Sequence, residues 1–399
     1  MPQLSNKGHE LPQSAIRKLV PFADAAKARG IHVYHLNIGQ PDIETPKGAL
    51  EVLANTEIGV LSYSHSAGML SFRQKLCQYY HRFGIEVNTD QIIVTNGGSE
   101  ALQFAFTVCF NPGDEIIIPE PYYTNYNTFA KLCGAVIKTI PSDIRTGFAL
   151  PPIEQFEQAI TPHTKAIMIC NPNNPTGYLY PKEDLLKIAE IVKRHDLFLF
   201  ADEVYREFCY DGHQHFSVMQ LEGLEQNVVL FDSSSKRYSA CGARIGCMVT
   251  RNPELYSIAM RLAQARLSPP SLGQIFAEAA IDTPQEYFDN VGKEYVSRRN
   301  LLVETINTIP GCFCPKPNGA FYAVVELPVD DSDKFCKWLL TDFSYEGATV
   351  MLAPATGFYV NPEQGRHQAR ITYCLNINDL QQALLCLRKA LEVYPGRTL

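Results

Sequence analysis

The chain has 399 residues, enough for two domains, and its 46% hydrophobic and 19% charged residues are ordinary for a folded protein. A formal net charge of −7 and the lack of a long basic run argue against general affinity for nucleic acid or an anionic membrane. No stretch reaches the ~18–20 apolar residues of a membrane span, and Met1–Glu10 carries no apolar core of a secretory signal. The twelve cysteines are scattered and lack zinc-site spacing, and the ten histidines form no HxxEH or HExxH pattern. Reduced thiols in a cytoplasmic protein without a metal site are the expectation.

In chain order, Pro2–Leu36 comes before any regular alternation and is expected to pack with the C-terminal part. From about Asp90, short apolar strands alternate with amphipathic helices. Strands are expected at Gln91–Thr95, Glu115–Pro119, Ala135–Ile140, Ala166–Cys170, Leu197–Ala201, Val228–Phe231 and Gly246–Val249. Helices are expected at Gly98–Phe110, Tyr123–Leu132 and Lys182–His195. Such alternation implies an α/β fold, a mostly parallel sheet with helices on both faces. Beyond Pro284 the pattern changes. A long helix over Gln285–Ile309 is followed by an apolar run at Ala320–Glu326 and a helix near Asp333–Leu340. Strands near Thr349–Leu352 and Arg370–Leu375 and a last helix over Asn378–Val393 complete the chain. The expected division is a large domain over 46–284 and a smaller α+β domain built from 1–45 and 285–399.

Five segments carry chemistry. After Val228–Phe231 come three hydroxyls, Lys236 and then Arg244, in Asp232-Ser-Ser-Ser-Lys236 and Gly242-Ala-Arg244. Hydroxyls and an arginine can bind a phosphate, and a lysine can form a Schiff base with an aldehyde. One cofactor carries both groups: pyridoxal 5′-phosphate (PLP). Asn96-Gly-Gly-Ser-Glu-Ala101 ends a strand and opens a helix, where free N–H groups and the helix dipole favour an anion. Asn171-Pro-Asn-Asn-Pro-Thr-Gly177 sets amides at the carboxyl end of a strand, with Asn174 the one expected in the site. In Ala201-Asp-Glu-Val-Tyr205 a carboxylate ends a buried strand and needs a partner, which a protonated pyridine nitrogen would supply. Arg370, in Ala369-Arg-Ile-Thr-Tyr-Cys-Leu375, is suited to bidentate carboxylate recognition. Singly, each has a bland alternative: a solvated lysine, an ordinary turn, a helix cap, a packed tyrosine, a surface ion pair.

Together these segments resemble the fold-type I PLP enzymes, in particular the class I/II aminotransferases related to aspartate aminotransferase. The resemblance runs from Asn37-Ile-Gly-Gln-Pro-Asp42 through Tyr63, Pro121-Tyr-Tyr123 and the motifs above to Asn318-Gly-Ala-Phe-Tyr322 and Arg370. It implies Lys236 as the Schiff-base lysine. It implies phosphate contacts from Ser233, Ser235, Arg244 and the amides of Gly98, Ser99 and Glu100. Asp202 is implied at the ring nitrogen, Tyr205 and Asn174 at the phenolic oxygen, and Tyr123 stacked on the ring. Arg370, with Asn174 and Gly39, is implied for the substrate α-carboxylate. Tyr63 is implied to reach the neighbouring subunit's phosphate, so that a homodimer shares its sites.

The reaction this implies is ping-pong transfer of an amino group from an amino acid to a 2-oxo acid. A PLP lyase or decarboxylase on the same fold is the runner-up, and a non-catalytic PLP-binding regulator a third class. Aspartate or glutamate is the expected donor and 2-oxoglutarate the acceptor, with Arg266 as the second cation. Ser99 stands where one aspartate-specific subgroup has lysine, which keeps aromatic or small neutral donors such as alanine as an alternative.

Overall fold

The computed structural model describes residues 2–399. Its strands are β1 (His32–His35), β2 (Ile92–Thr95), β3 (Glu115–Glu120), β4 (Val136–Pro141), β5 (Thr164–Cys170) and β6 (Phe198–Asp202). They continue with β7 (Val228–Ser233), β8 (Gly246–Thr250), β9 (Tyr322–Glu326), β10 (Ala348–Met351), β11 (Ala353–Pro354) and β12 (Gln368–Thr372).

Seven strands form one sheet in the order β2-β8-β7-β6-β5-β3-β4, parallel except for β8, which runs against both its neighbours. The central strands are apolar and buried on both faces because each face carries helices. Ile117, Ile167, Leu199 and Leu230 point to one side, where the helix Lys182–His195 packs with Leu185, Ile188 and Val192. Ile116, Met168, Phe200 and Phe231 point to the other, against Leu102, Ala105 and Phe106 of the helix Gly97–Cys109. This alternation of side chains along each strand is the period-2 pattern of a pleated sheet.

Lys182–His195 coincides with its expected span. Glu183 and Asp184 lie in its first turn, Lys193, Arg194 and His195 in its last, each matching the helix dipole. Other bounds move. The helix expected from Tyr123 begins at Tyr126, and Tyr123–Asn125 form the turn that leads into it. The run from Ala320 becomes strand only at Tyr322, because Ala320 sits at φ 53°.

A second core gathers the rest. β11, β12 and β9 form an antiparallel sheet in that order, and β1 pairs in parallel with β10. Leu19, Ala23, Ala26 and Val33 share this core with Phe335, Leu339 and Leu380, so residues 19–36 pack against the C-terminal part of the chain. The helix Gln285–Asn307 bridges the cores, with Phe288 against the large-sheet core and Tyr295 in the second. The carboxyl ends of β5, β6 and β7 face this junction.

Candidate active site

At the junction lies a cavity of about 560 Å³. In open α/β sheets the crevice beyond the carboxyl ends of the strands is where ligands bind. β7 ends in Ser233, and the chain turns into the short helix Ser234–Arg237, which brings Lys236 to the cavity. Lys236 Nζ donates to the Gly39 carbonyl at 2.9 Å, so it bridges from the large sheet to the segment after β1.

Asp202 ends β6 on the cavity floor. Burial pushes its carboxyl up to about 6, against the pull of hydrogen bonds from the Tyr126 hydroxyl at 2.8 Å and the Val204 amide at 3.4 Å. A buried acid in this state has room for a cationic partner. Tyr205, in the turn after β6, bonds the Tyr322 hydroxyl at 2.9 Å and receives the Asn174 amide at 3.4 Å. Tyr123 lines the same cavity, its hydroxyl held by Asn125 Nδ2 at 2.8 Å.

One end of the cavity is a set of hydrogen-bond donors. The helix Gly97–Cys109 starts there without a side-chain cap, and Gly98 and Ser99 line the wall. Gly97 has φ +73°, and a Cβ on it would lie 2.3 Å from Arg244 Nη2, so only glycine lets the guanidinium approach. Arg244 itself sits at φ 55° and donates to the Cys241 carbonyl at 2.9 Å. The Ser233 and Ser235 hydroxyls lie 2.8 Å apart beside it. Free helix amides, two hydroxyls and a guanidinium suit a phosphate dianion.

Another wall carries Arg370, from β12. Its Nη1 donates to Asn174 Oδ1 at 3.0 Å and its Nη2 to the Asn37 carbonyl, while its buried Nε has no partner among the described residues. Tyr322 and Phe358 flank it, with ring centroids 4.7 and 5.0 Å away. A buried guanidinium with an unused donor and no carboxylate beside it is poised for an anion.

The expected residues are therefore mostly brought together: Gly39, Gly98, Ser99, Tyr123, Asn174, Asp202, Tyr205, Ser233, Ser235, Lys236, Arg244 and Arg370 all line this cavity. Three are not. The Glu100 carboxylate turns back to the Asn96 amide at 2.9 Å and to Arg266 Nη1 at 2.6 Å. Arg266, expected as a second substrate cation, is spent on that pair and on the Ser66 carbonyl at 2.8 Å, and it does not line the cavity. Tyr63 is 78% exposed and also lies outside the cavity wall. Sequence reasoning missed Tyr126, which had only its place in an apolar helical stripe to mark it. It also missed Ser14, Ile16 and Arg17, which reach the cavity from the N-terminal segment.

The sequence matches the family Aminotransferase class I and II over residues 31–385. It is 35% identical over 396 residues to YugH of Bacillus subtilis (strain 168), a protein named for an inferred aminotransferase activity, covering 98% of each chain. It is 31% identical to the aspartate aminotransferase of Geobacillus stearothermophilus, covering 98% of this chain and 99% of that one. Among solved structures it is similar to the aspartate aminotransferase from Thermus thermophilus with maleate, at TM-score 0.88 and 27% identity over 98% of this chain and 100% of that one. The alanine aminotransferase from Pyrococcus furiosus gives TM-score 0.89 and 29% identity over 97% and 99%. The chain belongs to the class I and II aminotransferase family, and it is a PLP-dependent enzyme of that kind.

Proposed function

We propose that the enzyme moves an amino group from aspartate or glutamate to a 2-oxo acid such as 2-oxoglutarate, with PLP held in the cavity described above. The observation that carries this reading is the placement of Lys236, Asp202 and Arg370 around one cavity whose far end is a donor cradle. Lys236 would hold the cofactor covalently. Ser233, Ser235, Arg244 and the amides at Gly98 and Ser99 would take its phosphate. Asp202 would face its ring nitrogen, Tyr205 and Asn174 its phenolic oxygen, and Tyr123 its ring. When bound, PLP supplies an electron sink that stabilises negative charge at the substrate Cα.

The protein's own groups do the rest. Arg370, aided by Asn174 and Gly39, orients the α-carboxylate. Asp202 keeps a positive charge opposite itself. Lys236 is the one lysine lining the cavity among the described residues; its amine, freed when the substrate amine takes its place, would remove the donor's Cα proton and, in the second half-reaction, deliver one to the Cα of the new amino acid. Tyr63, exposed on one protomer, would complete the phosphate site of a second, making a cytoplasmic homodimer with shared sites. Twelve free cysteines are in keeping with a reducing compartment. A division into a large domain over 46–284 and a smaller one from 1–45 with 285–399 is proposed, and the two separate cores support it. A neutral donor such as alanine is the second reading, favoured by Ser99 and by the likeness to an alanine aminotransferase.

The test is a panel of amino acids with 2-oxoglutarate, following both half-reactions by the cofactor's absorption. Aspartate or glutamate should give the highest kcat/KM with ping-pong kinetics. Turnover that needs no 2-oxo acid acceptor would instead identify a lyase.

A further inference from the structure

Four cations line the cavity: Arg17, Lys236, Arg244 and Arg370. Three are accounted for in the proposed function, and each is anchored to the protein. Lys236 is held by Gly39, Arg244 by Cys241, and Arg370 by Asn174 and Asn37. Arg17 is different. Its backbone amide donates to the Ser14 carbonyl at 3.1 Å and approaches the Ser14 hydroxyl at 3.3 Å, which fixes the turn leading into the helix Val20–Ala28. Its guanidinium makes no hydrogen bond or ion pair among the described residues. The neighbouring Lys18, by contrast, is paired with Asp333. The charge of Arg17 nonetheless reaches into the site: with Arg370, it opposes the upward push of burial on the Tyr123 hydroxyl. The one acid in the cavity wall, Asp202, is on the floor and already bonded to Tyr126.

We infer that Arg17 is the specificity-determining cation, which takes the distal carboxylate of a dicarboxylic substrate whose α-carboxylate lies on Arg370. This rests on the dicarboxylate reading of the function and adds the residue responsible. Arg266 is the poorer candidate, because in this structure its guanidinium is bonded to Glu100 and Ser66 and lies outside the cavity wall. An arginine is suited to the task, since its planar fork matches a carboxylate and keeps its charge at any working pH. A dicarboxylic donor and 2-oxoglutarate each present two carboxylates, so one pair of arginines serves both half-reactions. A cation on the N-terminal segment, rather than on the large sheet, also makes side-chain selection depend on how that segment lies over the cavity.

The test compares the wild-type holoenzyme with Arg17→Ala and Arg17→Lys. Equilibrium binding of succinate and of butyrate, which differ by one carboxylate, is measured by calorimetry, and kcat/KM is measured for aspartate and alanine. Succinate binding should weaken by about tenfold in Arg17→Ala, the low end for a charge-assisted bond because the side chain is exposed to solvent. Butyrate binding should be unchanged, Arg17→Lys should recover part of the loss, and the wild-type preference should shrink as salt rises. The aspartate-to-alanine ratio should fall in parallel. If the wild type prefers succinate and aspartate but Arg17→Ala keeps both ratios, the assignment to Arg17 is wrong and the dicarboxylate reading stands. A fall common to both ligands counts the same way, since it marks general damage. A wild type indifferent to the second carboxylate overturns the reading and this inference together.

Discussion

Two charged clusters lie back to back at the ends of β6 and β7, and they are built on opposite rules. Behind the cavity, Arg206 meets Glu203 at 3.0 Å and Asp232 at 3.4 Å, Arg237 pairs with Asp232 and meets Glu207 at 3.2 Å, and the Tyr80 hydroxyl donates to Asp232 at 2.8 Å. In the cavity, four cations face one acid. The members are neighbours in sequence: Asp202 beside Glu203, Tyr205 beside Arg206, Ser233 beside Asp232, Lys236 beside Arg237. One of each pair is held behind the sheet ends and the other is presented to the cavity. Charges paired with opposite charges hold the frame, and charges with neutral partners or none are left for ligands.

Breaking the rear cluster should therefore cost stability, whereas breaking the cavity set should cost chemistry. Arg206→Met is expected to destabilise the fold by about 3–5 kcal/mol, because it strands a fully buried Glu203. Burial already raises the Glu203 carboxyl against the pull of Arg206. Without Arg206 it rises further, and a carboxyl raised in the folded state loses stability as pH rises, so the deficit should grow from acid to neutral pH. Denaturant titrations across that range check this. Lys236→Ala, in the other cluster, should abolish turnover and the borohydride-fixed cofactor adduct while changing stability by only about 0.5 kcal/mol. A large stability loss from Lys236→Ala, or a small one from Arg206→Met, would erase the contrast.

Asp202 is the cavity residue that most resembles the rear cluster, since it is buried, but its hydrogen-bond partners are a hydroxyl and an amide rather than a cation. Its carboxyl is raised to about 6 in the fold against 3.8 as the unperturbed value. The associated stability is present below pH 3.8 and is lost as pH climbs through 6, to a total of about 3 kcal/mol. Cofactor-free Asp202→Asn should match wild type near the acid end of that window and exceed it by up to about 3 kcal/mol at neutral pH. The same variant should retain cofactor and lose most of its turnover. An apoenzyme whose wild-type stability rises through this window relative to Asp202→Asn would show that Asp202 already has a protein cation.

The parts of this arrangement that could be read from sequence are the locally written ones. Val228–Phe231 followed by hydroxyls and Lys236 announces a strand and a loaded turn. Lys182–His195 carries its apolar spacing and end charges within its own span, and its bounds match. Asp202 stands out because a carboxylate ends an apolar run. What could not be read depends on distant partners. Arg370 bonds Asn37 across 333 positions and Asn174 across 196, and the local sequence marks it only as an arginine suited to a carboxylate, with a surface ion pair as the plainer alternative. Tyr126 meets Asp202 across 76 positions from inside an apolar helix. Arg17 lies in a turn with no periodicity, and nothing local says that the N-terminal segment returns to the cavity. Arg266 and Glu100 are 166 positions apart, so an arginine in a helix's last turn looks as free as any other until its acid is seen.

Arg266→Ala is the smallest expected effect and the sharpest check on that last point. The guanidinium joins three pieces: Glu100 in the first turn of the helix Gly97–Cys109, the Ser66 carbonyl at 2.8 Å and the Val94 carbonyl at 3.4 Å. The Arg266 and Glu100 side chains are 15% and 17% exposed, so water can replace part of what is lost. The cost should be about 1 kcal/mol, near the net worth of an ordinary hydrogen bond. Because those contacts brace the helix start that forms the donor cradle, together with a segment near Tyr63, the variant should bind cofactor somewhat less tightly. It should leave the aspartate-to-alanine ratio of kcat/KM unchanged, since Arg266 does not line the cavity. Measured beside Arg17→Ala, this separates two arginines with opposite commitments. A tenfold fall in the ratio for Arg266→Ala, with none for Arg17→Ala, would mean that the Glu100 pair opens when substrate binds and that pairing in the resting protein does not distinguish frame from site.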